Sequence, residues 1–322
     1  MDRIIPVPRK SNLELLRIFS MILIVTSHYV AHGTTDIVNA AFSGQKILAQ
    51  CMALGNFGTW LFLLISGYFL VNASFSFKKL IKLMLEVFTY SIAFLLIQIG
   101  FGGLSSVSIK EIIFSVMPVA YGQYWFISAY VLMYLFLPFL NVLIKEMNQR
   151  LHLQLVGLIG LVWIILPTFI AASTFCFNMI LPILIFFIAA YIKMYPNQYF
   201  ASIKLNTIIA GGSFFLYCLS VVILNLLGQK INALCTRTLY FGTNYSLLVC
   251  LCAVGTFLVF ENWNMKYNAT INYISSSTLG VYLIHENVFV RDFVWKVLFN
   301  NAAYYNTTYF ILHLVLSVAA VF

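Results

Sequence analysis

The chain has 322 residues, of which 62% are hydrophobic and only 8% charged, with a mean hydropathy of +0.96 and a formal net charge of +9. Soluble domains carry about 25% charged residues, so this composition excludes a soluble globular protein. Apolar runs of about twenty residues, in place of short alternating strands, also exclude an outer-membrane barrel and give an all-α, polytopic membrane protein.

Ten spans follow from that length: roughly 13–32, 53–72, 80–101, 124–144, 152–172, 176–193, 206–227, 243–261, 274–292 and 304–322. The first is too long for a signal peptide and has no small-residue cleavage site behind it. No linker or soluble insert divides the chain, so residues 1–322 read as one domain. No internal repeat is visible, which weighs against an inverted-repeat transporter. With the N-terminus in the cytoplasm, the inner segments hold Arg3, Arg9, Lys10, Lys78, Lys79, Lys82, Lys145, Arg150, Lys193, Lys204 and Lys266. The outer ones hold Lys46, Lys110, Lys230, Arg237, Arg291 and Lys296, and eleven against six favours that orientation. Basic residues scattered between spans are orientation signals, so no nucleic-acid partner is expected. The six cysteines, Cys51, Cys176, Cys218, Cys235, Cys250 and Cys252, form no CxxC pair and show no ligand spacing with histidine. Neither a metal nor a disulfide framework is expected. The last span runs to Phe322 with no basic anchor behind it, which reads as a truncated end.

Within the first span, SNLELLRIFSMILIVTSHYVAHG, four ionisable residues share one stripe. At 100° per residue, His28 returns to within roughly 20° of Arg17, Glu14 lies about 60° from Arg17, and His32 about 40° beyond His28. Charge in a bilayer is costly and faces a protein interior or a wet cavity, so the stripe is expected to line a site; snorkelling to the two interfaces is the bland alternative. Arg17 and His28 are about 16 Å apart along the helix, a cation near the inner boundary and a proton acceptor in the outer half. A neutral imidazole is a suitable general base for a hydroxyl, and Glu14 can hold the Arg17 charge through an i,i+3 pair.

The second span contains FLLISGYFLV, in which Gly67 permits close helix packing, and is followed by FSFKKLIKL. Lys78, Lys79 and Lys82 there serve either as positive-inside anchors or as a phosphate site, and Lys79 and Lys82 are the better pair because they share a helical face. Gln123, Tyr124 and Trp125 open the fourth span at the outer interface; an aromatic belt accounts for them, and sugar binding is the functional alternative. In the ninth span, NYISSSTLGVYLIHENVFV, His285 is expected to face the same interior as His28, with Glu286 beside it.

Taken together in this order, these blocks resemble the acyltransferase type 3 family of bacterial integral-membrane acyltransferases. Arg17, ten residues and then His28 is similar to the family's first-helix pattern. Leu63-Leu64-Ile65-Ser66-Gly67-Tyr68 resembles its second-helix signature, and Lys79-x-x-Lys82 stands where many members have a basic pair. Trp125 to Pro138 and Ser277 to His285 resemble two further blocks. Unlike some members, this sequence is not expected to carry a fused esterase-like domain. The resemblance implies transfer of an acyl group, acetyl by default, from cytoplasmic acetyl-CoA as co-substrate to a hydroxyl of a cell-surface polysaccharide or its lipid-linked precursor, at a bacterial plasma membrane. In that scheme Arg17, Lys79 and Lys82, with Lys78, hold the coenzyme phosphates. His28 acts as base or nucleophile, His285 and Glu14 assist, and Gln123, Tyr124, Trp125 and Glu286 meet the acceptor. A separate extracytoplasmic protein is an expected partner for a chain with no fused domain. The competing expectation is a transporter or flippase, since intramembrane histidines and carboxylates also build proton relays.

Overall fold

A computed structural model describes residues 10–33, 36–170 and 178–322. Arg3, Arg9 and Cys176 lie outside the described residues. Among the described residues the chain is helical and contains no strand. Its main helices are α1 (Ser11–Gly33), α2 (Gly44–Cys51), α3 (Gly55–Leu70), α4 (Phe77–Gly102), α5 (Trp125–Glu146), α6 (Gln149–Ile170), α7 (Leu181–Met194), α8 (Ile203–Gly228), α9 (Leu247–Asn262), α10 (Ala269–Ser276), α11 (Thr278–His285), α12 (Val288–Asp292) and α13 (Phe310–Val321).

Among the described residues, seven helical stretches are long and apolar enough to cross a membrane. They match seven of the ten expected spans. The other three differ for local reasons. The sixth is α7, whose 14 residues reach about 21 Å against a hydrocarbon core of about 30 Å. The ninth is broken into α10, α11 and α12, because Ser277 and Asn287 interrupt it. The tenth keeps only the 12 residues of α13 as one helix. Apolar length alone counts residues and does not see such breaks.

α1 is the centre of the bundle: it packs against α3, α9, α10, α11 and α13. Its residues Met21, Val25, Tyr29 and Val30 join one buried cluster with Tyr124, Phe186 and Trp295, while Leu13 and Leu16 join a second with Trp60, Leu64 and Phe257. The approach of α3 depends on Gly58, where a Cβ would lie 2.5 Å from the Ser20 carbonyl oxygen. Gly67 does the same for α7, meeting Ala189 and the Phe186 backbone. By contrast α6 and α8 expose Leu158, Leu161, Phe169, Phe215, Leu216 and Ile223, apolar faces suited to lipid. The Arg17 end of α1 is tied down by polar contacts: Ser11 donates to Asn272 at 3.1 Å, and the Asn12 amide reaches the carbonyls of Phe260, Glu261 and Trp263 at the end of α9.

Candidate active site

The stripe on α1 divides into two groups, one at each end of the helix. At the first, Arg17 Nη1 lies 2.7 Å from Glu14 Oε2, and the Ser275 hydroxyl donates to the same carboxylate. Glu14 is buried and so serves as a fixed counter-charge that orients the guanidinium. Arg17 and Lys79 line one cavity of about 390 Å³, whose other walls include Phe62, Leu83, Phe126, Tyr130 and Tyr134. Lys78, Lys79 and Lys82 are all exposed, and of the three only Lys79 lines it. Ser66 of the LLISGY block is in its wall, but the neighbouring Tyr68 has another task. The Tyr68 hydroxyl donates to Glu261 at 3.0 Å, and Lys193 Nζ donates to the carbonyls of Tyr68 and Val71, closing the end of α3.

At the other end, His28 Nδ1 stands 2.8 Å from His285 Nε2 and 3.1 Å from Glu286 Oε2. His32 Nε2 is 3.4 Å from that same carboxylate oxygen, and Arg291 Nη1 is 3.4 Å from Glu286 Oε1. The proton positions follow from one backbone contact. His285 Nδ1 lies 2.5 Å from the Val281 carbonyl oxygen, which can only accept, so His285 carries its proton on Nδ1. Its Nε2 is therefore a bare acceptor, and His28 must donate to it from Nδ1. That leaves the lone pair of His28 on Nε2, the atom able to take a proton from a substrate.

The helix break presents His285 and Glu286. α11 ends at His285, and Asn287 opens α12 by accepting the Phe289 N–H at 3.0 Å. The Asn287 amide also donates to the Tyr124 hydroxyl at 2.8 Å, which donates in turn to the Leu283 carbonyl at 3.1 Å. Asn287 and Tyr124 are both buried, so the break is locked onto α5. Nearby, Gln123 accepts from Ser91 at 2.9 Å, and Trp125 is half-buried against Phe126. Of the three, Tyr124 supports the site through Asn287 and Leu283, whereas Gln123 and Trp125 make these other contacts. None of them lines the larger cavity at the His32 end.

That larger cavity measures about 700 Å³, and its polar walls include Ser27, His32, Asn56, Thr243, Arg291 and Lys296. Asp36, Ile37 and Val38 form one side, in a loop held by buried Lys46, whose Nζ donates to the carbonyls of Val38 at 2.9 Å and Ala40 at 2.8 Å. Hydrogen bonds from the Asn39 side chain and from the N–H groups of Asn39 and Val38 hold the Asp36 carboxyl below its ordinary range. Asp292 pairs with Lys296 at 2.8 Å. The two cavities therefore sit at opposite ends of the α1 stripe, the smaller beside Arg17 and the larger beside His32.

A family model described as an acyltransferase domain matches residues 10–322. The chain belongs to that acyltransferase family. No curated protein and no solved structure matches it. With seven long apolar helices, this acyltransferase is a multi-pass membrane protein.

Asn287 and Arg291 escaped the sequence reading, in which Arg291 counted only as an orientation charge. Their signal was present: Asn directly after His-Glu in an apolar run is a helix-cap residue, and Arg four positions on returns to the same side. His32 was placed in the stripe, but nothing in the sequence showed that it shares a carboxylate with His28.

Proposed function

We propose that this acyltransferase moves an acyl group, acetyl by default, from cytoplasmic acyl-coenzyme A to a hydroxyl on a cell-surface glycan or its lipid-linked precursor, at a bacterial plasma membrane. The observation that carries the proposal is the bare Nε2 of His28, oriented by His285 and Glu286 on a helix that borders one cavity at Arg17 and another, of different chemistry, at Ser27, Ala31 and His32; His28 itself is in the wall of neither. The smaller cavity takes the donor. Arg17 and Lys79 meet coenzyme phosphates, and the aromatic and aliphatic walls take the pantetheine arm and the acyl end. Arg17 thus faces the cytoplasm, as the positive-inside count favours. The larger, hydrogen-bonding cavity takes the acceptor sugar.

In the reaction the acceptor hydroxyl gives its proton to His28 Nε2 as its oxygen attacks the thioester carbonyl. The carbon–sulfur bond then breaks, and the departing thiolate recovers the proton from His28. The imidazolium formed in between is stabilised by Glu286, 3.1 Å from Nδ1, and kept in orientation by His285. Asn287 and Tyr124 act as positioning residues, through the break that carries both partners. A glycan-handling protein outside the membrane is the natural partner.

The test is transfer of radiolabelled acetyl from acetyl-coenzyme A in nanodiscs, with wild type beside His28→Ala. Coenzyme release that depends on His28, with label on an added glycan or lipid-linked sugar, supports the reading. Movement of a lipid-linked sugar across vesicles without any thioester cleavage would overturn it in favour of a flippase.

A further inference from the structure

His28 and His32 are four residues apart on one helical face, a spacing that two-histidine metal sites on helices use. Glu286 faces both from the helix break. One oxygen, Oε2, lies 3.1 Å from His28 Nδ1 and 3.4 Å from His32 Nε2, and donor atoms of the three residues all fall within 4.8 Å of one another. In a tetrahedral zinc site with metal–ligand distances of about 2.0–2.2 Å, neighbouring donors are separated by about 3.3–3.5 Å. The two contacts to Glu286 are close to that edge length. Each side chain keeps some exposure, 19% for His28, 24% for His32 and 13% for Glu286, so an ion can reach them, and His32 also lines the larger cavity.

We infer that His28, His32 and Glu286 form a binding site for a divalent transition-metal ion, zinc above all, and that an ion bound there switches the enzyme off. Binding to Nδ1 of a neutral His28 requires its proton to sit on Nε2 instead. The nitrogen that would accept the hydroxyl proton is then already protonated, and Glu286 is diverted from His28 to the metal. No electron changes hands, and the proton only moves from one ring nitrogen to the other. The fourth position is open to water from the larger cavity or to the bare Nε2 of His285, which lies 2.8 Å from His28 Nδ1 and loses its donor when the ion binds. Arg291, 3.4 Å from the other oxygen of Glu286, opposes the ion electrostatically and weakens its hold. The inhibitory consequence rests on the proposed role of His28; the metal site itself does not.

Zinc binding is measured by calorimetry on tag-free, chelator-washed protein in nanodiscs, without substrate, and cobalt(II) serves as the optical probe. One saturable equivalent is expected, with the visible spectrum of tetrahedral cobalt on nitrogen and oxygen ligands. His32→Asn and Glu286→Gln should each weaken binding at least tenfold, and Arg291→Gln should tighten it severalfold. No saturable binding up to roughly 100 µM, an octahedral cobalt spectrum, or thiolate charge-transfer bands would each overturn the site in wild-type protein, whatever the variants do. Unchanged affinity in a folded His32→Asn protein would overturn it as well. Because binding is read without substrate, a failed metal site leaves acyl transfer untouched. A failed transfer assay likewise leaves the metal measurement intact, and zinc that binds without slowing an active enzyme overturns the inhibitory half alone.

Discussion

At its Arg17 end α1 borders a cavity of about 390 Å³ with largely apolar walls and two cations, Arg17 and Lys79. At its His32 end it borders one of about 700 Å³ in which Arg291, Lys296 and Asp292 stand beside the imidazole–carboxylate cluster and largely neutralise one another. A surplus of positive charge beside a greasy wall suits an anionic ligand with an apolar arm. Balanced charge among hydroxyls and amides suits a neutral, heavily hydroxylated one. One helix can therefore serve two ligands because its polar stripe changes character along its length.

The largest effect should come from removing the group that connects the two ends. His28→Ala is expected to lower transfer by about 10³-fold, the scale of a general base, in protein that still elutes from size exclusion like wild type. Glu286→Gln keeps the shape but loses the charge facing the imidazolium; about a 10²-fold fall in kcat with little change in the KM for donor is expected, read by stopped-time coenzyme release. Asn287→Ala strikes the support. It removes a helix cap and the bond to Tyr124, so a loss of about 1–2 kcal/mol in stability and a roughly tenfold lower kcat are expected, with donor affinity held. The donor end is sharpened by a pair of lysines. Lys79→Ala should raise the KM for acetyl-coenzyme A roughly tenfold, while Lys82→Ala, outside the cavity, should change it less than about twofold. Equal effects would erase the distinction between the two lysines.

The smallest effect belongs to neither end. Ser108 and Glu111 form a reciprocal cap on the short helix Ile109–Val116, and the hydrogen bonds from the Ser108 side chain and backbone hold the Glu111 carboxyl below its ordinary range. Because the folded value is the lower one, this contribution is present above the ordinary carboxylate range and is lost as pH falls through the depressed value. Ser108→Ala should cost about 1 kcal/mol or less in thermal unfolding and leave turnover unchanged.

Much of this was legible in the sequence because a bilayer makes charge conspicuous. Glu14, Arg17 and His28 stood out against their apolar neighbours, and helical geometry alone put them on one stripe. His285 and Glu286 were visible for the same reason. What stayed hidden was contact across the fold. Lys79 and Lys82 look equivalent from their spacing and are both exposed, and only the position of α4 puts Lys79 at the rim of the cavity that Arg17 also lines. Tyr124 reads as an interfacial aromatic, and only the position of Asn287 makes it a buried strut. Three of the ten expected spans are not single long helices, because hydropathy is indifferent to hydrogen bonding: a stretch of apolar residues scores alike whether its backbone is one helix or three.

The three-piece stretch from Ala269 to Asp292 also bears on how the protein is made. Backbone freed at such breaks is tolerated at membrane depth only where other protein receives it. Here the Leu283 carbonyl is received by the Tyr124 hydroxyl, and side chains along the stretch, Ser275, His285 and Asn287, bond to Glu14, His28 and Tyr124, all in segments that leave the ribosome earlier. Insertion is thus ordered by the same contacts that assemble the proposed site: the segment carrying His285 and Glu286 finds its partners in the membrane only after α1 and Tyr124 are in place.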